Sequence, residues 1–174
     1  MPMFHLGFKA DPLPVGDAAI RTEMIADLAA EALFGESSEL YLKMYEEGII
    51  DSSFGGGFET IDGCALLLCA GDSENPEAVR EAVLAQAQRI AAQGIPEASF
   101  RRMKRSALGR RIRGLDSFDG TCFRVCAYHF SGFDYFRFPA IYQDIQACDV
   151  QHFLETAITE ARMSLAVIYP NEED

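Results

Sequence analysis

After Gly48, two strand-like stretches follow one another directly: "IIDSSFGGGFE" (residues 49–59) and "TIDGCALLLCAGD" (residues 60–72). Nothing between them is long enough for a crossover helix, and parallel neighbours need a connection of about a dozen residues or more. The two therefore pair antiparallel, turning near residues 59–63. Such a pair excludes a uniform alternation of strand and helix. The fold class it implies is α+β, in two layers, with helices on one face of a small mixed or antiparallel sheet. The apolar run "CALLLCAG" reads as a strand buried on both faces.

The rest of the chain supplies the other elements. "MFHLGFKA" alternates Phe4, Leu6 and Phe8 with His5, Gly7 and Lys9, a strand with one apolar side that Pro12, Pro14 and Gly16 end. From Asp17, a good N-cap, Ile20, Met24, Ile25, Leu28, Ala32 and Leu33 recur at helical spacing until Gly35. Ser37 or Ser38 caps a short helix carrying Leu40, Leu42, Met44 and Tyr45, which Gly48 stops in the left-handed position after a helix end. Ser73 or Asn75 with Pro76 opens a helix through about Gln93, its stripe formed by Val79, Val83, Ala87 and Ile90. Pro96 starts another to Arg113, and a third covers Ser117 to Phe130. "SGFDYFRFPAIYQ" reads as an aromatic loop, "DVQHFLETAI" as a last helix, "MSLAVIYP" as a closing strand and "NEED" (residues 171–174) as a solvated tail. No internal repeat or linker divides residues 1–174, so one domain is expected.

Composition narrows the function classes. The 174 residues are 49% hydrophobic and 24% charged, and no apolar run approaches the ~20 residues that span a bilayer. With no basic segment and apolar stretch opening the chain, the expectation is a cytoplasmic protein without a membrane partner. Five cysteines with no CxxC spacing argue against a disulfide framework or zinc cluster and for buried, reduced thiols. The net charge of −12 disfavours broad nucleic-acid binding, yet it is unevenly spread. "RRMKRSALGRRIR" (residues 101–113) holds seven of the fifteen Lys and Arg, and without it the chain carries −19. Phe100, Met103, Ala107 and Ile112 supply this helix with an inner side, and its cations suit carboxylates of the chain or of a partner better than DNA.

Catalytic groups are sparse. His5, His129 and His152 are the only histidines, and neither HxxEH nor HxxxH occurs. "CFRVCAYH" aligns Cys122, Cys126 and His129 on one helical face. A three-ligand site is conceivable there, but with Val125 and Phe130 the same residues make the inner face of a packed helix. Cys64 and Cys69 lie among apolar residues that raise a thiol's pKa, which suits no nucleophile. "FGGGFE" lacks the lysine and helix start of a phosphate loop, so its glycines serve a bulge, a twist or close backbone approach.

The segment "LYLKMYEEGIIDSSFGGGFETIDGCALLLCAGDSENPEAVREAV", flanked by "RTEMIADLAAEALFGESS" and "IPEASFRRMKRSALGRRI", resembles the carboxy-terminal domain of pitrilysin-type zinc metallopeptidases. The bacterial members like the mitochondrial processing peptidase are the nearest in pattern. The likeness runs from Phe4 to Tyr169 and centres on the junction at Gly48 and the start "IPEASFRRMKR". It implies the second of two related domains, the first of which carries HxxEH, two histidines for zinc and a glutamate for water. Zinc then belongs to a missing N-terminal half and none to this chain. Family members often place an Arg and a Tyr seven positions apart near the junction. Leu42 and Ile49 stand at those positions, so that role does not carry over, and the departure suits the second half of a zinc-bearing subunit.

The resulting expectation is a non-catalytic, substrate-enclosing domain of a zinc-dependent metalloendopeptidase. Its partners are the N-terminal half of the same protomer, a peptide substrate and possible pairing with a second peptidase-like subunit. No catalytic or metal residue is assigned, and Leu42, Tyr45, Ile49 and Phe54 are expected on the wall of a peptide-holding chamber. The alternative is a freestanding scaffold domain that docks an acidic partner through residues 101–113.

Overall fold

The structure, a computed structural model, describes residues 1–61 and 63–170, so the acidic tail read at 171–174 lies outside the described residues. In chain order the elements are β1 (Met3–Lys9), α1 (Asp17–Phe34), α2 (Glu39–Glu46), β2 (Gly55–Ile61) and β3 (Cys64–Asp72). They continue with α3 (Pro76–Gln93), α4 (Glu97–Arg113), α5 (Phe118–Phe130), α6 (Phe138–Asp144), α7 (Ala147–Ala157) and β4 (Met163–Ile168).

The four strands form one sheet in the order β2-β3-β1-β4. All three pairings are antiparallel, which resolves the expectation of a mixed or antiparallel sheet. Directly opposed residues share a face, so the register defines two surfaces. Leu6 opposes Cys69 and Leu165, Cys69 opposes Gly56, and Phe8 opposes Leu67, itself opposite Phe58. This is the inner face. Phe4, Leu6, Phe8 and Leu67 are fully buried there, each burial contributing ~1.5–3 kcal/mol. The other face carries His5, Gly7 and Lys9 beside Leu66, Leu68 and Ala70, with Gly55, Gly57 and Glu59 on β2. No helix covers this outer face among the described residues. β3 is accordingly buried on one side and half-buried on the other, not on both as its apolar run suggested. Helices lie on a single side, and that sets the difference.

α1 packs against β2 and β3 with Ile20, Met24, Leu28 and Leu33 inward, and α7 packs against both α1 and α3. Gly16 takes the N-cap position of α1, one residue before the cap read at Asp17, whose carboxylate instead sits in the first turn, where the helix dipole favours a negative charge. α3 begins as its sequence dictates: the Asn75 side chain accepts from the Ala78 N–H and Pro76 occupies the first turn. The aromatic loop is in part helical. A short 3-10 turn at Tyr135–Arg137 leads into α6, and Phe138, Tyr142 and Ile145, at four- and three-residue steps, insert into the core. Pro139 in the first turn of α6 costs no hydrogen bond.

Gly56 marks the closest approach of helix layer to sheet. A Cβ there would lie 2.5 Å from the Phe34 ring, 2.6 Å from the Leu68 carbonyl oxygen and 2.9 Å from the Cys69 Cβ, whereas at Gly57 it would meet nothing within 4 Å. Gly56→Ala should destabilise by about 1–3 kcal/mol through overpacking. Gly57→Ala should change stability by less than about 0.5 kcal/mol, as an open surface position does. Urea unfolding of the two variants checks this, and equal effects would refute the close contact.

Candidate functional site

The junction between α2 and β2 is built from local hydrogen bonds. Ser38 caps α2 by accepting from the Tyr41 N–H at 3.1 Å, and its hydroxyl donates to the Leu33 carbonyl at 2.8 Å, tying α2 to the end of α1. At the other end Gly48 adopts φ 67°, and the N–H groups of Ile49 and Ile50 both turn back to the Met44 carbonyl. An L side chain would strain that left-handed position. Asp51 then accepts from the Ser53 hydroxyl and N–H, bonds that hold its carboxyl below the usual range. The Ser53 hydroxyl in turn accepts from the Asp72 N–H at 2.9 Å and fixes the entry into β2 against the end of β3.

This geometry separates the four expected wall residues. Leu40 and Met44 point inward, which leaves Leu42 and Tyr45 outward at 51% and 52% exposure. Tyr45 stacks on Tyr41 with ring centroids 5.8 Å apart. Ile49 is partly buried, and its carbonyl accepts from the Ser73 hydroxyl. Phe54 corrects the expectation. At 5% exposure it packs against the rings of Phe4, Phe34 and Tyr41 at 6.0–6.3 Å, anchoring the junction from behind instead of facing a chamber.

β2 is an edge strand, and two clefts open beside it. One, of about 300 Å³, is lined by Gly56, Gly57, Phe34, Asp27, Arg111 and Tyr142. The other, of about 370 Å³, is lined by Phe58, Thr60, Glu23, Phe123, Arg124 and Tyr128. Between them sits a charged network. A single nitrogen of the Arg111 guanidinium reaches Glu23 at 2.9 Å and Asp27 at 2.7 Å, its cation lies 5.9 Å from the Tyr142 ring centre, and the Tyr128 hydroxyl donates to Glu23. Burial pushes the Asp27 carboxyl up, Arg111 opposes that shift, and the nearby Glu23 charge reinforces it. Burial and Glu23 likewise raise the Tyr128 hydroxyl. One cation thus serves two carboxylates. Sequence reasoning missed this cluster, although Glu23, Asp27 and Glu31 recur one turn apart on α1 opposite Arg110 and Arg111.

Three of the seven cations of the basic helix, Arg101, Arg110 and Arg111, meet the chain's own acids. Arg110 pairs with Glu31 and Arg101 with Glu97, while Lys104 donates to the Gln143 and Ile145 carbonyls. Arg102, Arg105 and Arg113 have no carboxylate partner among the described residues. Phe100 and Ala107 form the inner side as expected, but Ile112 is exposed.

The cysteines and α5 also depart from expectation. Only Cys69 is buried, its thiol pushed up to about 12 by burial; Cys64, Cys122, Cys126 and Cys148 are exposed. Cys122, Cys126 and Phe130, read as an inner face, point outward because α5 turns Arg124, Val125 and Tyr128 toward the body. Among the described residues no three His, Cys, Asp or Glu side chains are grouped so as to hold a metal ion. No helix among them is long and apolar enough to cross a membrane.

Residues 2–107 match the family described as the peptidase M16 inactive domain, and the chain belongs to that family. It is 25% identical over 170 residues to a Bacillus subtilis (strain 168) protein named as the uncharacterized zinc protease YmfH, covering 97% of this chain and 40% of that one. A proposed M16-like peptidase from Alicyclobacillus acidocaldarius shares the fold with a TM-score of 0.89 at 21% identity, over 98% of this chain and 41% of its own. So does the inactive peptidase domain of a proposed zinc protease from Bordetella parapertussis, with a TM-score of 0.82 at 15% identity, over 100% and 93%. The chain thus spans well under half the length of the curated relative.

Arg111→Met should cost about 3 kcal/mol in urea unfolding, because it leaves two half-buried carboxylates without a cation. Asp27→Asn tests the titration. A carboxyl raised in the folded state contributes stability below its unfolded pKa and loses it as pH rises through the folded value. The unfolding free energy of the native chain relative to Asp27→Asn should therefore fall as pH rises above the usual carboxylate range. An increase with pH there would contradict the burial of Asp27.

Proposed function

We propose that this chain is the substrate-enclosing, non-catalytic carboxy-terminal domain of a zinc-dependent metalloendopeptidase. The observation that carries the reading is β2: an edge strand that is open at Gly55 and Gly57 and flanked by two clefts. A peptide laid along such an edge gains main-chain hydrogen bonds, and alternate side chains find the clefts. Leu42 and Tyr45 form wall in front of the junction, and Ile49 and Phe54 hold it rigid from behind.

Membership of the inactive-domain family supports the assignment of the chemistry to a companion N-terminal half, where HxxEH would hold zinc and activate water. That half is the first partner, a second peptidase-like subunit a further one, and an unstructured peptide the substrate. Neither nucleic acid nor a membrane is needed. Four exposed, unpaired thiols suit a reducing compartment, which supports a cytoplasmic location. The scaffold alternative is weaker, because Arg101, Arg110 and Arg111 already meet carboxylates of the chain.

Incubated with zinc and a quenched peptide, the 174-residue chain alone should give no hydrolysis; turnover that a chelator stops would refute the reading. In a longer protein containing this segment, Gly57→Leu should raise KM for peptides about tenfold with kcat within about twofold, the signature of lost binding shared by ground and transition states. The open space at Gly57 lets the fold tolerate the change. An unchanged KM would remove the peptide from β2.

A further inference from the structure

Helix α5 turns its polar side inward and its apolar side outward. On the inner side Arg124 donates to the Gly114 carbonyl at 2.6 Å, Tyr128 to Glu23, and the Thr121 hydroxyl reaches the Gly114 and Leu115 carbonyls. On the outer side Phe118, Cys122, Cys126 and Phe130 succeed one another at four-residue steps. They form one continuous ridge about 18 Å long. Phe118 is 81% exposed, Phe130 89% and the adjoining Phe123 75%, both cysteines are exposed, and no side chain of the helix is fully buried. A surface helix of a complete globular unit shows the reverse orientation, and a contiguous aromatic patch of this kind marks a contact surface.

We infer that the outer ridge of α5 is the docking surface for the companion portion of a longer polypeptide, which seats an apolar helix across it. This rests on the reading of the chain as one domain of a two-part peptidase, and it names the surface that joins the parts. Length supports the choice of occupant. The segment matched here makes up 40% of the curated relative and 41% of the Alicyclobacillus chain, so the larger share of each of those proteins lies outside it. Shape supports a helix: bulky rings stand at the two ends of the ridge and small thiols in its middle, so a crossing helix approaches closely between Phe118 and Phe130. Charge disfavours a second copy, because two chains at −12 each would meet on a face that offers no compensating cation of its own helix other than the inward Arg124.

Thiol footprinting tests this, with Cys64 and Cys148 replaced by serine so that only Cys122 and Cys126 report. Cys69, buried and with its thiol pushed up to about 12, stays unlabelled while the core is intact and serves as the folding control. In the isolated 174-residue chain a maleimide should label Cys122 and Cys126 at the rate of a free thiol. In the longer protein the same thiols should react at least tenfold more slowly, and Phe118→Asp, on the ridge but outside both clefts, should restore the fast rate. Equal rates in the two forms would overturn the proposal. So would a dimer of the isolated chain in sedimentation that Phe118→Asp abolishes, since the face would then belong to a second copy. Peptide hydrolysis followed on the same longer protein keeps the two readings apart. Hydrolysis with freely labelled thiols leaves the function standing and removes the docking face, and protected thiols without hydrolysis do the opposite. A gene encoding nothing beyond these residues overturns both.

Discussion

The contact of α1 with the edge strand at Gly56 governs the arrangement around it. The Phe34 ring comes so close to the strand backbone that no Cβ fits, and this pulls the end of α1 onto β2 while the neighbouring Gly55 and Gly57 stay bare on the outer face. A helix layer drawn this tightly to one side leaves the other side of the sheet open. The same contact fixes where the Ser38 cap and the Phe54 anchor stand, and so how the junction presents Leu42 and Tyr45.

The second constraint is electrostatic. Glu23, Asp27 and Glu31 would repel one another along α1 were it not for Arg110 and Arg111 arriving from α4. Arg111 joins α1 to α4, and Tyr128 and Tyr142 add α5 and α6 to the same point. This cluster stands behind the two clefts along β2, giving the edge strand a rigid, charged flank. A basic segment that looks like an interaction patch in one dimension therefore serves in part, through Arg110 and Arg111, as internal adhesive for an acidic chain.

Several elements were legible directly from residues. The junction at Gly48, the helix opened by Asn75 and Pro76, and the antiparallel pair of β2 with β3 follow from turn chemistry and from the lack of room for a crossover. The site was legible only in part. Leu42 and Tyr45 face outward, but the burial of Phe54 could not be read from its spacing, since it depends on rings brought from β1, α1 and α2. α6 was masked by aromatic crowding and by Pro139, whose harmless first-turn position is visible only once the helix start is known. The thiols of α5 were misplaced for the opposite reason: the apolar stripe was correctly periodic, but periodicity states that a face seeks cover without stating which body supplies it.

What the sequence determined by itself was therefore local and one-dimensional: where helices begin and stop, which residues alternate along a strand, and that β2 and β3 run antiparallel. These depend on caps, φ preferences and spacing, all of which act within a few residues. Only the tertiary structure decided which face of the sheet is covered, that Arg111 is shared by two carboxylates, and that the ridge of α5 looks outward. Those outcomes depend on burial and on distances between segments some 80 to 130 residues apart, such as Arg21 with Asp149 and Arg111 with Glu23. Spacing along a chain carries no record of such encounters, because they are set by how packed layers exclude water and not by any neighbour in sequence.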